Sequence, residues 1–191
     1  ATLYQVQGRF EEAEPLFDKS AQMFLVGLGE HPETARAYCH HGQMRFAQGK
    51  LKEAEQLLRK SSDMFEKTAP QHPGAAAALH HLGILHAAQA RLPDAGAELR
   101  RALVLRQKSL GDRHPDVSAT AFQLGLVCQR ELKLDEAEAL FRRVLALDEV
   151  NIGPDHPGTA TTLSALAELQ VVRANPEEAE TAPPPVVEDG S

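Results

Sequence analysis

The chain has 191 residues, is 42% hydrophobic, and holds no Trp, two Cys and nine His. Its 27 acids against 20 bases give a net charge of −7, which argues against a nucleic-acid binder, since that needs a clustered basic face. No apolar run approaches the roughly 18 residues of a membrane span, and no basic segment followed by an apolar stretch opens the chain as a secretory signal would.

In chain order, Ala1–Gln7 reads as the tail of a helix whose beginning is absent, and a start at Ala1 rather than Met suggests a fragment. Gly8 breaks that helix, and residues 9–26 form its partner, with Pro15 inside it removing one backbone donor. Next come helices over 32–48 and 51–67, separated by Gly49. Ala69-Pro70-Gln71-His72-Pro73 is a rigid turn that places Pro73 at a first helical position. Helices over 73–89 and 92–109, then 115–130 and 134–150, follow the same plan. Gly153-Pro154-Asp155-His156 leads into a helix over 157–172. Asn175-Pro176-Glu177-Glu178 announces one more, with an N-cap Asn, Pro at the first position and acids in the first turn. Ala182-Pro183-Pro184-Pro185 stops it. Five of the acids, Glu177, Glu178, Glu180, Glu188 and Asp189, lie after residue 174, where there is no base; setting them aside leaves 22 acids against 20 bases.

The stretch Gly111–Leu147 shows the plan most clearly. Val117, Ala121, Leu124, Gly125 and Cys128 share one helical face, and Leu134, Ala137, Phe141, Val144 and Leu147 share a second. Glu131-Leu132-Lys133 leaves room only for a short connection, so the two helices lie antiparallel. This hairpin repeats. His-Pro occurs at His31, His72, His114 and His156, in steps of 41, 42 and 42 residues. Ala13, Ala54, Ala95, Ala137 and Ala179 recur with the same step, as do Gly42, Gly83, Gly125 and Ala167. Three markers sharing one period establish a repeat array, a quasi-linear body in which each unit touches only its neighbours. The fold class is therefore all-α, stacked antiparallel helix pairs. Residues 1–180 form the array, with repeat 1 truncated at its N-terminus, three complete units and a truncated repeat 5. Residues 181–191 form a disordered acidic, Pro-rich tail.

The Gly and Ala markers are expected where paired helices cross, with Leu58, Leu99 and Phe141 filling the space beside them. Gln107 is expected on an exposed face. On the last helix, Leu163, Leu166, Ala167 and Leu169 are expected to lack a covering partner, which predicts self-association there or a missing C-terminal repeat in the native protein. Cys39 and Cys128 sit two repeats apart, too far for a disulfide, so free thiols and a reducing, cytoplasmic compartment are expected.

The segments Leu79-His80-His81-Leu82-Gly83-Ile84-Leu85-His86 and Asp135-Glu136-Ala137-Glu138-Ala139-Leu140-Phe141 resemble the tetratricopeptide repeat. The lengthened second helix and the linker Leu110-Gly111-Asp112-Arg113-His114-Pro115 resemble the long repeat of kinesin light chains. The resemblance covers residues 1–180. Departures from the pattern are His41 and Arg45 at usually apolar positions, and Ala90 and Leu132 in place of the turn Gly; they predict looser packing in repeats two and three. The resemblance implies that the helix pairs wind into a right-handed superhelix, and a non-catalytic scaffold that binds a partner's peptide segment in a concave groove, a kinesin-light-chain-like adaptor. It places the contacts on the first helix of each pair: Cys39, His40 and Gln43; His80, His81 and Ile84; Phe122, Gln123 and Leu126; Ser164, Ala165 and Glu168. Arg36, Arg130 and Arg173 flank them. Kinesin light chains receive acidic peptides in a basic groove, whereas the positions here are not basic as a set. If His40, His80 and His81 keep ordinary pKa values, this surface gains charge between about pH 7.5 and 5.5.

The alternative reading is a structural or sensor array of a larger signalling ATPase, which flanking sequence would distinguish: upstream heptads favour the adaptor, a phosphate-binding loop the sensor. No catalytic motif occurs, so no enzyme activity and no cofactor are expected. His40-His41 and His80-His81 are adjacent pairs whose rings diverge by about 100° on a helix, while zinc needs three or four converging ligands. No metal is expected, and no nucleic-acid or membrane partner.

Overall fold

The computed structural model describes residues 10–174. The expected helix tail at 1–7, the helix opened by Asn175 and the 181–191 tail lie outside the described residues. Every regular element among the described residues is a helix: α1 Phe10–Leu28, α2 Pro32–Ala47, α3 Leu51–Thr68, α4 Pro73–Ala88, α5 Leu92–Leu110, α6 Pro115–Arg130, α7 Leu134–Asn151 and α8 Pro157–Ala174. None is long and apolar enough to cross a membrane. The chain falls into two compact units divided between Thr120 and Ala121. In the first, α1 to α5 pack each on the next, and α2 also touches α4. In the second, α7 packs on α8 and meets the part of α6 that carries Gly125.

The His-Pro marker starts helices by a side-chain cap. The backbone N–H of Glu33, Gly74, Asp116 and Gly158 donates to Nδ1 of His31, His72, His114 and His156, at 3.2, 3.0, 3.1 and 3.0 Å. Each imidazole thus satisfies one of the amide donors that a helix start leaves without a partner, and the proline after it needs no partner for its own nitrogen. His72 also stacks on Phe65, centroids 5.3 Å apart.

The first helices α2, α4 and α6 end in one repeated turn. Gly49 has φ +72°, and its repeat equivalents Ala90 and Leu132 have φ +59° and +58°. The N–H groups of Lys50, Arg91 and Lys133 donate to the carbonyls of Arg45, His86 and Cys128, at 2.9, 2.9 and 2.8 Å. Those of Gly49, Ala90 and Leu132 donate to Phe46, Ala87 and Gln129, at 2.9, 3.1 and 3.0 Å. This is the Schellman closure, which satisfies the last carbonyls of the helix at the cost of one left-handed residue. Ala90 and Leu132 hold that geometry with a side chain, so the turn is kept where glycine is missing.

Packing explains the other two markers. A Cβ placed on Gly42 would lie 2.7 Å from Leu58 Cγ, on Gly83 2.5 Å from Leu99 Cγ, and on Gly125 2.5 Å from Phe141 Cε1. The glycines let the backbones approach, and Leu58, Leu99 and Phe141, all fully buried, occupy the space. Each such side chain contributes about 1.5–3 kcal/mol of burial. Ala13, Ala54, Ala95 and Ala137 are fully buried as well. Ala167 is exposed instead of packed; the stretch expected to cover it lies outside the described residues. On the same helix Leu163 and Val171 are exposed, but Leu169 is buried, contrary to expectation, so the apolar face left uncovered is smaller than the sequence suggested. Gln107 is half-buried rather than exposed, and its amide donates to Asp112 Oδ1 at 2.8 Å. Cys39 and Cys128 are free and buried.

The acid after the marker Ala reaches a later helix pair. Glu55 receives Arg91 Nη1 at 2.8 Å, Gln89 Nε2 at 3.2 Å and Arg59 Nη2 at 2.9 Å. These donors, Arg91 first, hold its carboxyl down at about 2 against the cost of burial. Glu14 receives Arg45, Gln48 and Lys50 in the same register, and Glu138 receives Arg173 at 3.0 Å. Arg45, unusual for its position, is therefore half-buried between Glu14 and Glu53. His41 is buried and stacks on Phe17, centroids 6.4 Å apart.

Candidate functional site

In the first unit, α2 and α4 bring the sequence-nominated residues into register. Cys39, His40 and Gln43 on α2 stand where His80, His81 and Ile84 stand on α4, 41 residues on. Their exposure follows from helix geometry. With Gly83 facing α5, His80 is turned from that contact by about 60°, Ile84 by about 100° and His81 by about 160°. His80 and Cys39 are accordingly buried, whereas His40, Gln43, His81 and Ile84 are half-buried. Arg36 is exposed and pairs with Glu33 one turn before it.

The chemistry here is that of packed, neutral groups. His80 and His81 meet edge to face, centroids 5.2 Å apart, and His80 Nδ1 has no hydrogen-bond partner. Burial, and after it the Arg106 guanidinium, pushes His80 down to about 3. The same two causes, with His40 added and Asp116 opposing, push His81 down to about 4. Burial and Arg36 lower His40. The expected gain of charge between pH 7.5 and 5.5 is thereby corrected: desolvation disfavours the imidazolium, His80 and His81 stay neutral through that range, and His40 is displaced in the same direction. Burial raises the Cys39 thiol to about 11, with Gln43 Nε2 3.4 Å from its sulfur. A thiol so placed is a packing group rather than a nucleophile.

Sequence reasoning missed Arg106. It projects from α5, is 7% exposed, and its Nη1 donates to the Asp116 carbonyl at 2.9 Å and to Thr120 Oγ1 at 2.6 Å. No carboxylate among the described residues stands within ion-pair distance of it, and burial lowers its pKa against the pull of Asp116 and Cys39. The available signal was the repeat register. Arg106 falls where Phe24 and Phe65 stand in earlier repeats, and Asp148 falls there in the next one. In the second unit, Thr162 Oγ1 donates to that Asp148 carboxylate at 3.0 Å, the counterpart of the Arg106–Thr120 pair.

Also in the second unit, Phe122 is half-buried with its ring 5.5 Å from Phe141. Gln123, Leu126 and Arg130 are half-buried, Ser164 and Glu168 exposed, and Ala165 buried. Arg173 is bound to Asp135 at 2.7 Å and to Glu138 at 3.0 Å. Among the described residues no three His, Cys, Asp or Glu side chains stand close enough to hold a metal ion.

Helix pairs of about 42 residues with buried Gly and Ala crossings are matched by the sequence profile of the tetratricopeptide repeat over residues 1–67, 74–149 and 118–182. The chain belongs to the tetratricopeptide-repeat family. Two solved structures of nearly identical TPR-like repeats from a putative kinesin light chain of Podosopora anserina resemble this tetratricopeptide-repeat chain. One is 24% identical and the other, a point variant of the same repeats, 22%; both have a TM-score of 0.77 over 94% of this chain and 86% of theirs. BtubC (BKLC) from P. vanneervenii superposes with a TM-score of 0.82 at 17% identity, over 94% of this chain and 72% of its own. At these identities the likeness is one of fold. No curated protein matches the chain.

Proposed function

We propose that this tetratricopeptide-repeat chain is a non-catalytic, cytoplasmic scaffold that takes a peptide segment of a partner protein across the first helices of its pairs, as an adaptor of the kinesin light chain kind. The observation that carries this reading lies in the first unit. Half-buried His40 and Gln43 on α2, and His81 and Ile84 on α4, lie in register on two helices that touch. They present donors, acceptors and an aliphatic side chain on a rigid frame, which is what an extended peptide needs from a preorganised surface. Cys39 and His80 support that surface from beneath. By the same register, Phe122, Gln123, Leu126 and Arg130 on α6, and Ser164 and Glu168 on α8, are proposed for contact in the second unit.

His80 and His81 add no charge to the first-unit surface, so affinity should be unchanged between pH 8 and 6 as far as these two contribute. The test is photo-crosslinking. A photoreactive residue at Gln43 or Ile84 should capture a partner segment found by affinity purification, and one at exposed Gln56 on α3 should not. Ile84→Glu should abolish capture while leaving the helical content intact. Equal capture from Gln56, or capture that survives Ile84→Glu, would move the contact off these helices.

A further inference from the structure

A cavity of about 440 Å³ opens in the first unit between the second helices α3 and α5, over the start of α4. It exists because α3 and α5 pack against α4 from either side and hardly against each other, whereas the first helices α2 and α4 touch directly. Leu79 and Leu105 line it, and Val104 stands at its edge with 62% of its surface in water. Arg100 and Arg101 line its α5 side and Glu66 its α3 side. Arg101 reaches across to Glu66 at 3.5 Å and touches Glu98 at 4.0 Å, both long contacts. Surface pairs of this kind contribute little and exchange readily for a better-placed carboxylate.

We propose that this groove docks the segment Pro183-Pro184-Pro185-Val186-Val187-Glu188-Asp189 of a second copy of the chain. Charge complementarity selects it. The segment ends in two adjacent acids, the chain has no base after Arg173, and the groove offers two adjacent arginines on one wall. The acids go to the α5 side, where Arg100 and Arg101 outnumber Glu98, because the α3 side offers Ser62 and Glu66 and no base. Val186 and Val187 then cover half-buried Leu105 and the exposed Val104, removing apolar surface from water. Proline has a fixed φ, so a segment with three consecutive prolines has less conformational freedom to lose on docking. This surface belongs to the second helices and stands or falls independently of the peptide contact proposed for α2 and α4.

The test uses the full chain carrying Glu188→Lys and Asp189→Lys, whose own segment no longer fits, and a fluorescent peptide of residues 182–191. Fluorescence anisotropy should show saturable binding that weakens about tenfold on adding Val104→Glu or Arg101→Glu to the receptor. It should also weaken as salt rises from about 0.1 M to 1 M, where the screening length falls from about 10 Å to 3 Å. A receptor with Arg100→Glu and Arg101→Glu should recover binding to a peptide carrying Lys at both acidic positions. In sedimentation equilibrium the wild-type chain should gain mass with concentration, and the Glu188→Lys, Asp189→Lys chain should not. A peptide that fails to bind, or binds equally after Val104→Glu, overturns the site. Binding by the peptide beside a wild-type chain that stays monomeric overturns the second copy as its source.

Discussion

The neutral histidine pair of α4 makes the first unit sensitive to acid. His80 is held down at about 3 and His81 at about 4, while in the unfolded chain both titrate near 6.5. Between those values the unfolded state binds the more protons, so stability is full above about pH 6.5 and falls as the pH drops toward 4. At pH 5 each ring costs about 2 kcal/mol, roughly 1.5 pH units at 1.4 kcal/mol each, or about 4 kcal/mol for the pair. That is a large part of the roughly 5–15 kcal/mol that holds a domain together. Urea unfolding followed by circular dichroism from pH 8 to 5 measures it. The double variant His80→Gln, His81→Gln should lose about two protons' worth of slope, near 2.7 kcal/mol per pH unit around pH 5. His40, His41 and His86, all lowered chiefly by burial, keep their share in both proteins. Because the slope is compared rather than the level, any packing cost of the substitutions cancels. In parallel, the ring-proton resonances of His80 and His81 should stay flat from pH 8 to 5 in the folded chain and titrate in urea. Parallel stability profiles, or folded-state resonances that titrate near pH 6.5, would refute burial as the controlling cause.

Two further outcomes separate the roles of glycine. Gly125→Ala drives a Cβ to 2.5 Å from the Phe141 ring and should lower stability by about 1–3 kcal/mol, whereas Gly27→Ala, with nothing within 4 Å on a helix, should raise it by about 0.5–1 kcal/mol; thermal unfolding of the two variants checks the opposite signs. Ala90→Gly and Leu132→Gly relieve left-handed backbone that costs a side chain about 1–2 kcal/mol, partly offset by about 0.4–1 kcal/mol of extra freedom in the unfolded chain, so each should gain up to about 1.5 kcal/mol in urea denaturation.

What the sequence determined by itself was local. Pro at a helix start, Gly at a crossing and a fixed 41–42-residue step are requirements of backbone geometry, and they placed every described helix to within two residues at each end. The His-Pro marker was legible for the same reason, since the imidazole caps an amide only two residues away. Of the site, periodicity could select the helix and the register, because both repeat. It could not assign burial within the register: His80 and His81 are neighbours in sequence, yet the first lies beside the contact with α5 and is buried, and the second lies on nearly the opposite side of the helix and is half-buried. Nor could it assign charge. A histidine read as a proton switch is neutral because other helices exclude water from it and bring Arg106 close, and Arg106 itself comes from a second helix that sequence reasoning assigned to packing. The groove between α3 and α5 was likewise invisible, because it is the space left where neighbouring pairs diverge. These are sums over contacts distant in the chain, which only tertiary structure decides: desolvation depends on every neighbour at once, whereas a turn or a helix start depends on a handful of consecutive residues.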